Sequence, residues 1–196
     1  MARRRGQTVA GEWTNWAGDQ SCRPAQIVHP GSREELIEVV GATAAAGGKV
    51  SVAGSGHSFT EAALTEQTLV RIEALAGVLD ADPGSGLVRV GAGTVLADLN
   101  EELARLGLAM ENLGDIDRQT IAGAISTGTH GTGARLRNLS AQVEAIELVL
   151  ADGSVRSLTA AADPRLLRAA RVGVGALGAI AAVTLRCVPA FSLLRI

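Results

Sequence analysis

The chain has 196 residues, 18 basic against 20 acidic side chains and a formal charge of −2, with 47% apolar and 19% charged residues. This is the composition of an ordinary globular protein, long enough to bury one sizeable core or two small ones. The balanced charge argues against nucleic acid as the main partner, because a phosphate-tracking surface needs a basic excess. The longest uncharged apolar stretch, Val172–Leu185, has 14 residues, short of the roughly 18 that a membrane helix needs, so no span is expected. There are 24 glycines and only four aromatics, Trp13, Trp16, Phe59 and Phe191; such a chain suits close backbone packing or close backbone approach to a ligand.

Arg3, Arg4 and Arg5 read as a solvated terminal cluster, since Gly6–Trp16 lacks the apolar run of an export signal. Gln26–His29 is a strand stopped by Pro30. Ser32 followed by Glu35 is a capping box that opens a helix over Arg33–Ala46, ended by Gly47-Gly48. Lys49–Ala53 and Leu69–Ile72 are further strands, and the alternation predicts a small, partly parallel βαβ layer. Asp82-Pro83-Gly84 is a turn, taken as the subdomain boundary. Leu87–Val90 is a strand and Val95–Leu106 an amphipathic helix closed by Gly107. Val143–Leu150 and Val155–Leu158 form a hairpin around an Asp-Gly turn. Asp163-Pro164 opens a short helix, and Ile180–Val188 is the last strand. The second half is therefore α+β with antiparallel pairing. Cys22 and Cys187 are too far apart in sequence for a metal motif; they read as buried or incidental thiols in a reducing, cytoplasmic compartment.

Three glycine clusters carry the functional signal. The first, Gly54-Ser55-Gly56-His57-Ser58-Phe59, follows a strand directly, and glycines there let successive amides converge on one point, a nest suited to phosphate oxygens. A nicotinamide fingerprint is an alternative: Gly54 and Gly56 fit, and Glu73 lies where the ribose carboxylate belongs, but Phe59 stands at the third glycine position. A tight turn without ligand is the other. His57 inside such a nest would stand beside a bound cofactor as nucleophile or hydrogen-bonding partner. The second cluster runs from Gly114 to Gly133. Its last eleven residues hold four glycines interleaved with Ser126, Thr127, Thr129 and Thr132, a surface against which a flat ring with a polyol-phosphate tail would lie well; a loose surface loop is the plainer alternative. The third, Gly173–Ile180, joins the short helix to the last strand and is equally readable as a helix end with close packing.

Taken in order, Gly-Ser-Gly-His-Ser, then Thr-Ile-Ala-Gly-Ala-Ile-Ser-Thr-Gly-Thr-His-Gly, then Gly-Ala-Leu-Gly-Ala-Ile resembles the PCMH-type FAD-binding domain of the vanillyl-alcohol-oxidase flavoproteins. It is most similar to the sugar-1,4-lactone oxidases (gulonolactone and arabinonolactone oxidases) and the alditol oxidases, from Asn15 to Pro189. The resemblance implies an α+β fold: an N-terminal segment 1–22, subdomains 23–82 and 83–196, and FAD between them in one composite domain, 23–190. It implies that Gly54, Ser55, Gly56, His57, Ser58 and Phe59 cradle the pyrophosphate and that His57 can bond covalently to the flavin 8α-methyl. Asp115, Thr120, Gly123, Thr127, Gly128, Thr129 and His130 match positions along the flavin and ribityl chain, and Ile180 matches the adenine end. Gly114 matches a position where a small residue admits oxygen. The implied activity passes hydride from a lactone or polyol CH–OH to flavin, then to oxygen or an electron carrier. Family members continue into a cap domain that supplies the catalytic groups. The chain is thus expected either to be a fragment or excised domain or to have its site completed by a separate chain; no catalytic acid or base and no metal is expected in it, and a flavin-binding module without turnover is the alternative.

Overall fold

A computed structural model describes residues 8–9 and 11–193; the arginine cluster Arg3–Arg5 lies outside them. The principal elements are β1 (Gln26–Val28), α1 (Arg33–Ala45), β2 (Val50–Ala53), β3 (Thr68–Arg71), β4 (Val78–Asp82), β5 (Leu87–Gly91), α2 (Leu96–Arg105), α3 (Ile121–Ser126), β6 (Val143–Val149), β7 (Val155–Thr159), α4 (Pro164–Arg171) and β8 (Ala179–Arg186). Two-residue pairs add Trp13–Thr14 with Ser21–Cys22, and Leu108–Ala109 with Val188–Pro189.

The α+β expectation holds, and the two sheets differ as the sequence pattern requires. In the first, β1, β3 and β2 run parallel in that order, with Thr8–Val9 antiparallel on the outer side of β1. Parallel neighbours need a crossover, and α1 supplies it. Ser32 Oγ accepts from the Glu35 amide at 3.2 Å, while Glu35 Oε2 accepts from the Gly31 amide at 2.7 Å, so the capping box closes one residue further out than its usual form. The second sheet is antiparallel throughout, ordered β7-β6-β8-β5-β4.

Helix α1 lies between the sheets. Its Leu36 and Val40 share one apolar cluster with Val70 of β3, Ile146 and Leu148 of β6, and Val183 of β8, each such side chain contributing about 1.5–3 kcal/mol on burial. Arg33 at the start of α1 reaches Glu147 on β6 at 2.6 Å, and Arg89 of β5 reaches the other carboxylate oxygen at 3.1 Å. On the opposite face of the first sheet Trp13, Ile27, Ala53 and Leu69 make a smaller cluster. Leu96, Leu99 and Leu103 place one stripe of α2 against the main core.

One expectation and one alternative change. Asp82-Pro83-Gly84 closes the β4–β5 hairpin inside the second sheet, so Val78–Asp82 pairs on the far side of the boundary expected there. Strand β4 gives no sequence signal because it is an edge strand, with Leu79, Asp80 and Asp82 all exposed. The second glycine cluster is not a loop throughout: Ile121–Ser126 winds into a helix whose Ile121, Ala122, Ala124 and Ile125 are buried. Gly123 within it costs roughly 1 kcal/mol of helix propensity, offset by that burial.

Candidate functional site

Strand β2 ends at Ala53 and releases Gly54–Ser58 onto the wall of a cavity of about 560 Å³. Three stretches distant in sequence meet there: Gly54–Ser58, the α3 segment (Gln119, Thr120, Ala122, Gly123, Ser126, Thr127), and Val174–Ile180. Gly54 sets the closeness of the first two. A Cβ at this position would run into Thr120 Oγ1 and stand 3.1 Å from Thr120 Cβ and Cγ2, so the loop abuts the N-cap of α3 only because that side chain is missing. Gly56 has a φ of +72° and sits over Trp13, with a Cβ here 3.2 Å from the indole; the left-handed backbone costs other residues about 1–2 kcal/mol.

The chemistry of the wall is selective. Among the described residues, no acceptor takes a hydrogen bond from the amides of Ser55, Gly56, His57 or Ser58, a row of four donors open to a ligand. Hydroxyls of Ser51, Ser55, Ser58, Thr60, Ser126 and Thr127 join them on the lining. Among the described residues that line it are Lys49 and His57, and no aspartate or glutamate. Such a surface favours an anion with many oxygens over a cation.

Of the residues expected at the site, Gly54, Ser55, Gly56, His57, Ser58, Thr120, Gly123, Thr127 and Ile180 line this cavity, and Phe59, Gly114, Asp115, Gly128, Thr129 and His130 do not. Phe59 and Asp115 are exposed. Gly114 instead packs beside Thr129 and the His130 carbonyl, with a Cβ 2.9 Å from Thr129 Cγ2. His130 Nδ1 lies 2.9 Å from the Gly131 carbonyl oxygen. Gln119 joins the two places: it lines the cavity, and its side chain lies 3.1 and 3.2 Å from Thr129 Oγ1.

Residues 24–159, more than half of the chain, match the family described as FAD binding domain. The chain belongs to that family. It is 47% identical over 183 residues to L-gulono-1,4-lactone dehydrogenase of Mycobacterium tuberculosis, covering 93% of this chain and 42% of the relative. It is 38% identical to L-gulonolactone oxidase of Mus musculus, over 94% of this chain and 42% of the relative, and 40% identical to D-arabinono-1,4-lactone oxidase of Yarrowia lipolytica, over 91% and 35%. The chain thus spans about two-fifths of the length of the curated relatives it matches. It is related to the sugar-lactone oxidases and dehydrogenases, and FAD is its cofactor.

Within this FAD domain, sequence reasoning missed Gln119, Ser126 and Trp13 on the cavity wall. Gln119 and Ser126 lie inside the hydroxyl-rich cluster, so its composition carried a signal for them. Trp13 carried none, because its place depends on the pairing of Trp13–Thr14 with Ser21–Cys22.

Proposed function

We propose that this chain is the FAD-binding part of an oxidoreductase that oxidises a CH–OH group of an aldono-1,4-lactone or polyol. The observation that carries the reading is the row of four unspent amides, Ser55 to Ser58, on a wall without carboxylates. Those amides and the Ser55 and Ser58 hydroxyls would hold the pyrophosphate, each charge-assisted bond being stronger than a neutral one. Phe59 would close that cradle from outside. Thr120, Gly123 and Thr127, with Gly128, Thr129 and His130 beyond them and Gly114 and Asp115 alongside, would follow the flavin and ribityl chain. Ile180 would meet the adenine end. Bound FAD supplies a two-electron acceptor for substrate hydride, the electrons leaving to oxygen or an electron carrier. The apolar wall from Val50, Val52 and Ala53 keeps water from one side of the cavity, and His57 on its lining would offer an imidazole nitrogen to tether the flavin through its 8α carbon. None of these residues is assigned as acid or base toward substrate. A division into two subdomains within a composite domain 23–190 belongs to the same proposal, with β4 (Val78–Asp82) counted in the second because it pairs there, as does a cytoplasmic setting, supported by the free thiols of Cys22 and Cys187.

The test is direct. The purified protein should be yellow, and acid precipitation should leave flavin on the wild type and release it from His57→Ala. A colourless protein that ignores added FAD refutes the proposal. Flavin binding without turnover is the second possibility, favoured by the lack of any carboxylate on the cavity wall; anaerobic bleaching of the flavin by gulonolactone or xylitol would eliminate it.

A further inference from the structure

Trp16 is 68% exposed, an unusual position for the largest side chain in an aromatic-poor protein, and it does not line the cavity. Its ring partner among the described residues is His57, stacked with centroids 5.2 Å apart and planes 27° from parallel. The backbone on both sides of His57 is fixed by the same segment. The Trp16 amide donates to the Gly56 carbonyl at 2.8 Å, and Asn15 Nδ2 donates to the Ser58 carbonyl at 2.9 Å. Asn15 is itself locked, 6% exposed, with Nδ2 also on Asp19 Oδ1 at 2.7 Å and Oδ1 accepting from the Asp19 and Gln20 amides at 3.1 Å.

We infer that Trp16 is a positioning residue: the Asn15-Trp16 turn clamps the backbone before and after His57, and the indole plates one face of the imidazole, fixing which ring edge the cavity receives. Burial gives Trp16 no reason to be there, because two-thirds of it stays in solvent. Reach into the cavity gives none either, so its effect on the site passes through His57. An unplated imidazole turns about its Cβ–Cγ bond, and a rotor that must present one nitrogen to a bound ring loses time in unproductive orientations.

The inference rests on the proposed role of His57 toward FAD, and the two can fail separately. Apo-protein from riboflavin-starved cells is mixed with FAD and its capture followed by quenching of flavin fluorescence, for wild type, Trp16→Ala, Trp16→Phe, His57→Ala and the Trp16→Ala/His57→Ala pair. Trp16→Ala should capture FAD about tenfold more slowly, the scale of a lost aromatic pair. Trp16→Phe, which keeps a ring face, should stay near wild type, and the pair should be no slower than His57→Ala alone. The imidazole protons of His57 should lose their ring-current shift in Trp16→Ala and keep it in Trp16→Phe, with far-UV dichroism unchanged in both and Tm lowered by no more than about 6 °C. A wild-type rate for Trp16→Ala or for His57→Ala, or slowing in the pair equal to the product of the two singles, overturns the inference. If acid precipitation strips flavin from the wild type, the covalent tether is refuted, and the capture rates still decide the role of Trp16.

Discussion

Gly54→Ala separates two reasons for a glycine at the mouth of the site, ligand access and packing. The added methyl would land on Thr120 Oγ1 and lie 3.1 Å from Thr120 Cβ and Cγ2. Thr120 is 1% exposed, and its backbone is held by a bridge to Val95 and by the Ala124 amide at 2.9 Å. The side chain therefore has to rotate, giving up the cap it provides to the Gly123 amide at 3.3 Å. Loss of an N-cap costs about 1 kcal/mol, and overpacking a filled site adds about 1–3 kcal/mol. We expect a total near 3 kcal/mol, or roughly 10 °C in Tm for a chain of this size. Urea denaturation followed by far-UV dichroism on wild type, both single variants and Gly54→Ala/Thr120→Ala measures it. Thr120→Ala alone should cost about 1 kcal/mol for the cap. In that background Gly54→Ala should cost under about 1 kcal/mol, leaving a coupling of about 2 kcal/mol. If Gly54→Ala left the midpoint unchanged while abolishing FAD binding, or if the two losses simply added, the packing explanation would be refuted.

Three further outcomes follow from the same structure. Ser32→Ala removes the oxygen that accepts from Glu35 at the start of α1 and should lower Tm by about 2–4 °C, at about 1 kcal/mol per cap, in a thermal melt. Burial pushes the Cys187 thiol up to about 11 from an ordinary value near 9. At pH 8 an alkylating reagent should therefore modify half-buried Cys22 and spare Cys187 until denaturant is added, by mass of the labelled peptides. The folded thiol keeps its proton while the unfolded one ionises, so stability is complete below pH 9 and falls as pH rises toward 11; Cys187→Ala should remove that part of the slope in urea titrations across this range.

The sequence by itself determined the elements whose cause is written in a local cap, stripe or turn of familiar pattern. The Ser32/Glu35 box, the Leu96-Leu99-Leu103 stripe, the Asp152-Gly153 hairpin and the Asp163-Pro164 start each carry their cause within a few residues, and each element stands in the fold with ends shifted by a residue or two. Three glycine clusters were legible too, because amides stripped of side chains are visible in composition. Only the tertiary structure decided what long-range contact decides. Helix α3 exists because its apolar face is buried, and the cavity because a missing Cβ at Gly54 lets two distant segments touch. The separation of Gly114, Thr129 and His130 from the cavity wall, and the indole of Trp16 laid on His57, are of the same kind. Spacing along the chain records which residues are neighbours in sequence; it holds no record of which side chains meet when sheets and helices close on one core.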